Sequence, residues 1–82
     1  SMPSYSLKEE DFRDGKIDIL GVLSASGLAG SRSEARRNVE QGGVSVDGVQ
    51  EKDVKRSFVK EDFAGDGKVI KRGKKNFMRV FW

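Results

Sequence analysis

The sequence predicts an α+β domain in which two helices pack on a small, mostly antiparallel β-sheet. Three observations carry that prediction. An apolar stripe at helical spacing starts at Ile17, a capped and glycine-stopped helix pattern spans Ser31 to Gly43, and beyond Val44 short apolar runs alternate with glycine turns. At 82 residues the chain is long enough for one domain with a small core and too short for two. Leu, Ile, Val and Phe supply roughly a quarter of it, above the level of about 20% below which chains stay disordered.

Residues 1–15 are polar and acidic, and Asp14-Gly15 is a turn signal before an apolar stretch. They read as a linker or arm, leaving residues 16–82 as the domain. Ser1 in front of Met2 reads as a cleavage scar, so the chain is expected to be an excised piece of a longer protein. Ile17, Leu20 and Leu23 recur at three-residue steps, with Ile19 and Val22 widening the stripe, so a largely buried helix is expected over about 16–25. Gly27 suits the left-handed position past its end, and Leu28 can pack back on the last turn.

Ser31-Arg32-Ser33-Glu34 fits a capping box, with the Ser31 hydroxyl accepting from an amide three residues on and Glu34 reaching back. The helix that follows, about 32–41, sets Ala35 and Val39 toward the core and Arg32, Arg36 and Arg37 along one flank. Gln41-Gly42-Gly43 stops it. Val44-Ser45-Val46-Asp47-Gly48-Val49 alternates up to an Asp-Gly pair, the chemistry of a two-residue hairpin turn. Residues 50–67 carry weaker signals, with one short strand expected near 57–60. After the Gly65-Asp66-Gly67 turn come two strands, about 68–71 and 76–81, joined around Arg72-Gly73-Lys74.

The net charge of +3 conceals an uneven distribution, because residues 68–82 carry six basic side chains and no acidic one. Lys68, Lys71, Arg72, Lys74, Lys75 and Arg79 alternate with apolar residues, as in basic strands with a packed side. A polyanion is the partner this suggests. Phe77 is assigned to the core in preference to stacking on bases, and Trp82 lies between core edge and exposed platform.

Catalysis finds little support. The chain has neither cysteine nor histidine, which removes disulfides, Fe–S clusters, the usual metal ligand and the usual general base. No metal site is expected. The glycines match neither the phosphate-cradling loop nor the dinucleotide fingerprint, and Glu9/Glu10 and Glu61/Asp62 read as solvated loop residues. No apolar run approaches the roughly 18–20 residues needed to span a bilayer, and no secretory signal is evident. The cysteine-free composition fits a cytoplasmic location.

The run Gly27-Leu28-Ala29-Gly30-Ser31-Arg32-Ser33-Glu34-Ala35-Arg36-Arg37, then Gln41-Gly42-Gly43-Val44 and Val46-Asp47-Gly48, resembles the RNA-binding domain named after small-subunit ribosomal protein S4, of the alpha-L type. Asp14-Gly15-Lys16-Ile17 and Gly73-Lys74-Lys75-Asn76-Phe77-Met78-Arg79-Val80 extend the similarity to the C-terminal domain of bacterial-type tyrosyl-tRNA synthetases, over roughly residues 5–82. The resemblance implies a non-catalytic module that holds tRNA(Tyr) for a catalytic domain absent here. It implies that this missing part uses ATP and forms the homodimer of the parent enzyme, with the fragment itself monomeric. Arg32, Ser33, Arg36 and Arg37 match the RNA-facing helix. Gln41, Gly42 and Gly43 match the loop beside phosphate, and Lys71, Arg72, Gly73, Lys74 and Lys75 fall in the basic hairpin. Asp47, Asn38 and Glu40 depart from the family pattern, standing where asparagine, an apolar residue and lysine are common. Two alternatives stand beside this reading: the equivalent domain of a pseudouridine synthase or a ribosome-associated stress protein, and a basic protein-interaction module.

Overall fold

Tyr5, Leu7 and Phe12 make the expected N-terminal arm part of the core. In the computed structural model, which describes residues 2–82, Ser4–Ser6 form strand β1, Leu7 and Phe12 are buried, and Tyr5 packs against them. The linker expectation fails because polar composition hid a two-residue alternation in which Tyr5 and Leu7 face inward. A 3-10 turn at Glu9–Asp11 follows, and Asp11 anchors it by accepting from the Tyr5 hydroxyl and the Lys8 amide, each at 2.9 Å.

The apolar stripe from Ile17 divides into two elements. Asp18 keeps extended backbone and its carboxylate accepts the Gly21 amide at 2.7 Å, so it caps a helix from within the stripe. Lys16–Asp18 is therefore strand β2, and helix α1 runs only over Ile19–Ala25. Gly27 is left-handed at φ 82° and Leu28 is buried beyond it, as expected.

Helix α2, Arg32–Glu40, begins at Ser31, whose hydroxyl accepts the Glu34 amide at 3.1 Å. It ends in a two-bond cap, with Gly42 N–H donating to the Val39 carbonyl and Gly43 N–H to that of Asn38. Strands β3 (Val44–Val46) and β4 (Val49–Gln50) form the hairpin, with Asp47 and Gly48 both at positive φ as its turn requires. Asp47 also accepts the Val69 amide at 2.8 Å. Strand β5 (Ser57–Val59) pairs with β2 in a separate ribbon, placing Phe58 opposite Ile17. Strands β6 (Lys68–Arg72) and β7 (Asn76–Phe81) close the chain.

The main sheet has the order β1-β7-β6-β3-β4 and is antiparallel except for the parallel pair β1–β7. Val44, Val46, Ile70 and Val80 from the sheet join Ile19, Val22, Leu23, Ala35 and Val39 from the helices in one apolar cluster with Phe58 and Phe63. Two helices on a mostly antiparallel sheet are the architecture expected from the sequence. At the far end of β7, Trp82 meets Phe12 edge-on at 5.3 Å, with the Lys60 ammonium 4.5 Å above its ring. Lys60 also holds both oxygens of Glu9, at 2.7 and 2.8 Å. No helix among the described residues is long and apolar enough to cross a membrane.

Candidate nucleic-acid interface

The cap of α2 sets the position of the basic turn. Gly42 sits at φ 80°, and a Cβ there would come within 2.8 Å of Gln50 Nε2, which donates to the Gly42 carbonyl. Gly43 follows, and its carbonyl accepts the Gly73 amide at 2.7 Å. Because Val44 lies opposite Arg72, the double-glycine loop and the β6–β7 turn form one edge of the molecule. Gly73, left-handed at φ 73°, lets that turn reverse, which leaves Lys74 and Lys75 exposed at its tip.

The arginines of α2 differ in state. Arg36 and Arg37 are exposed and form no ion pair among the described residues, so an Arg36–Glu40 pair does not occupy that flank. Arg32 is committed. Its guanidinium binds Asp18 through two parallel bonds of 3.1 and 2.8 Å, joining the starts of the two helices. That hydrogen bond holds the Asp18 carboxyl below the usual carboxylate range and raises Arg32 above its ordinary value. Arg32 also lies a helix length, about 13 Å, from the glycine loop. Ser33 is exposed beside it and Gln41 is exposed at the C-cap.

Arg72 is half-buried and its Nε donates to the Leu28 carbonyl, tying the basic turn to the loop between the helices. Lys71 lies opposite Phe77, its ammonium 5.4 Å from the ring centroid. The site residues therefore divide. Arg36, Arg37, Lys71, Lys74 and Lys75 are cations outside the ion pairs of the described residues; Arg32 and Arg72 brace the fold; Gly42, Gly43 and Gly73 shape the edge. The Asn38 Oδ1 is buried without a hydrogen-bond partner among the described residues.

The core assignment of Phe77 is corrected by the structure. Met78 and Val80 take the inward positions of β7, so strand alternation turns Phe77 outward, where it is 36% exposed. That alternation was the sequence signal for it. A cavity of about 440 Å³ is lined by Met2, Pro3, Leu28, Lys75, Phe77 and Met78. A larger one, about 520 Å³, lies among Arg13, Lys16, Asp18 and Arg32 and carries both signs of charge.

The tyrosine–tRNA ligase SYY-like C-terminal domain model matches residues 1–80. Among curated relatives, the tyrosine–tRNA ligase of Lachnoclostridium phytofermentans is 44% identical over 77 residues, 93% of this chain and 18% of that protein. That of Treponema denticola is 37% identical over 83 residues, covering all of this chain and 20% of the relative. The chain thus spans about a fifth of the length of the curated relatives it matches. A match over nearly every residue, on a fold of two helices against a mostly antiparallel sheet, identifies the chain as a member of the tyrosine–tRNA ligase SYY-like C-terminal domain family.

Proposed function

We propose that this domain holds tRNA(Tyr) for a tyrosine–tRNA ligase whose catalytic part lies outside the chain. The observation that carries the reading is the joined edge of the glycine loop and the basic turn, fixed by the Gly73–Gly43 hydrogen bond, with uncommitted cations on it and on the adjoining helix. Folded RNA is read largely through shape, phosphate and 2′-OH contacts, which a rigid cationic ridge can make without a sequence-reading helix. Backbone glycines let phosphate approach closely, and arginine forks match its oxygens. ATP binding, aminoacylation and dimer formation belong, in this reading, to the missing catalytic part in the cytoplasm. Tethering to that part makes the tRNA contact intramolecular, so modest affinity of the isolated domain suffices.

Salt titration tests the proposal. About five phosphate contacts predict log K falling against log[salt] with a slope of about −3.5 to −4.5. Arg36→Ala and Lys74→Ala should each make that slope shallower by about 1 while circular dichroism stays unchanged. A flat salt dependence, or tighter binding to an acidic protein than to tRNA(Tyr), supports the protein-interaction reading instead.

A further inference from the structure

The turn Arg13-Asp14-Gly15-Lys16 presents two cations that no carboxylate claims. Arg13 N–H donates to the Lys16 carbonyl at 2.7 Å and Lys16 N–H donates to that of Arg13 at 2.9 Å, with Asp14 and Gly15 left-handed at φ 51° and 75°. This is a tight two-residue hairpin, which puts both flanking side chains on one face. Both are exposed, and neither enters an ion pair among the described residues. Strand alternation keeps Asp18 on the face of Lys16, with Ile17 buried behind, and the antiparallel register sets Ser57 opposite Asp18. Arg13, Lys16, Asp18 and Ser57 accordingly line one cleft of about 520 Å³, to which Arg32 contributes from the start of α2. The carboxylates of that cleft are already engaged. Asp18 accepts two bonds from Arg32 and one from the Gly21 amide, and Asp11 accepts the Tyr5 hydroxyl and the Lys8 amide. Asp14, at the tip of the turn, does not line it.

We propose that this cleft is a second phosphate subsite, in which Arg13 and Lys16 clasp a backbone phosphate of the tRNA beyond the reach of the basic turn. The inference rests on the RNA-binding reading and extends the footprint to the opposite end of α2. Arg13 supplies a planar fork, Lys16 a point charge and the Ser57 hydroxyl a further donor, all from one face. Main-chain bonds fix the turn in advance, so less order has to be imposed on binding. Arg32 keeps N–H donors beyond the two given to Asp18, and Arg36 stands one turn further along the same helix, so cations lead from the cleft toward the basic edge. That continuity commits the cleft to the polyanion that meets the ridge, in preference to a separate acidic protein. With the glycine loop a helix length, about 13 Å, from Arg32, cleft and ridge engage different phosphates.

The test uses the full 82-residue chain and a tRNA(Tyr) transcript, with binding measured across a salt series. Arg13→Gln and Lys16→Gln each remove one phosphate contact. Each should make the slope of log K against log[salt] shallower by about 1 and weaken binding about five- to tenfold at 0.1 M salt. Circular dichroism should not change, because the turn is held through main-chain bonds. Ser57→Lys adds a cation to the same wall and should steepen the slope by about 1, which carries the test should either Gln variant perturb folding. Parent slopes in the Gln variants and in Ser57→Lys, while Lys74→Ala flattens it, overturn the cleft and leave the ridge standing. So does unchanged tRNA(Tyr) binding by the Gln variants with loss of binding to poly-glutamate, which assigns the cleft to an acidic protein. Absence of salt-dependent tRNA binding by the unaltered chain overturns both.

Discussion

At the scale of single residues, three arginines close together in sequence have different uses. Arg36 and Arg37 are open to a ligand, whereas Arg32 spends its fork on Asp18. Residue type and spacing made all three candidates, but the carboxylate that claims one of them lies 14 positions upstream. The pair has a pH signature. Asp18 titrates below its ordinary value in the fold because Arg32 bonds its charged form, so the pair contributes above the unfolded-state pKa and is lost as pH falls through the folded one. Asp18→Asn retains a capping side chain while removing the charge. Urea unfolding should therefore show a shallower loss of stability in this variant below about pH 4. The difference should be small, about 0.2–1 kcal/mol, because both side chains are partly solvated.

At the scale of elements, glycines at two turns make contrasting demands. Gly73 is left-handed with open space where a Cβ would go, so Gly73→Ala should cost only the conformational term, about 1–2 kcal/mol. Gly67 is also left-handed, but a Cβ there would lie 2.3 Å from the Val80 carbonyl oxygen, backbone that cannot rotate away. Gly67→Ala should lower the thermal midpoint clearly more than Gly73→Ala, because β7 must move. Elements with local signals were legible in the sequence: the Ser31 cap, the Gly42–Gly43 stop and the Asp47–Gly48 hairpin all form where expected. Elements defined by distant partners were not. β2 is a strand because it pairs with β5 some forty residues later, and β1 because Arg79, Val80 and Phe81 lie beside it. Nothing local in Lys16-Ile17-Asp18 reveals that partner.

At the scale of the molecule, charge separates along β7. Its first residue adjoins the basic turn, while its far end meets Trp82, Lys60 and the acidic 3-10 turns that contain Glu10 and Glu61. A six-residue strand spans about 20 Å, more than two Debye lengths at physiological salt. Glu10→Gln and Glu61→Gln should therefore leave tRNA affinity within about twofold at 0.15 M salt, measured by filter binding, and separate from it only at low ionic strength. The basic edge was legible in the sequence because six cations crowd fifteen residues. Its geometry was not, since the Gly43–Gly73 bond that joins its halves spans thirty positions.

The parallel pairing of Ser4–Ser6 with Arg79–Phe81 also governs how the domain bears load. Tension applied between a body upstream of β1 and the end of β7 pulls two parallel strands in opposite directions along their shared axis. All of their rungs then resist together in shear, where an antiparallel pair gripped at one end would open one rung at a time. A catalytic body attached before Ser4 would therefore be coupled to the sheet stiffly, and its motions would reach the basic edge as displacement of the whole domain.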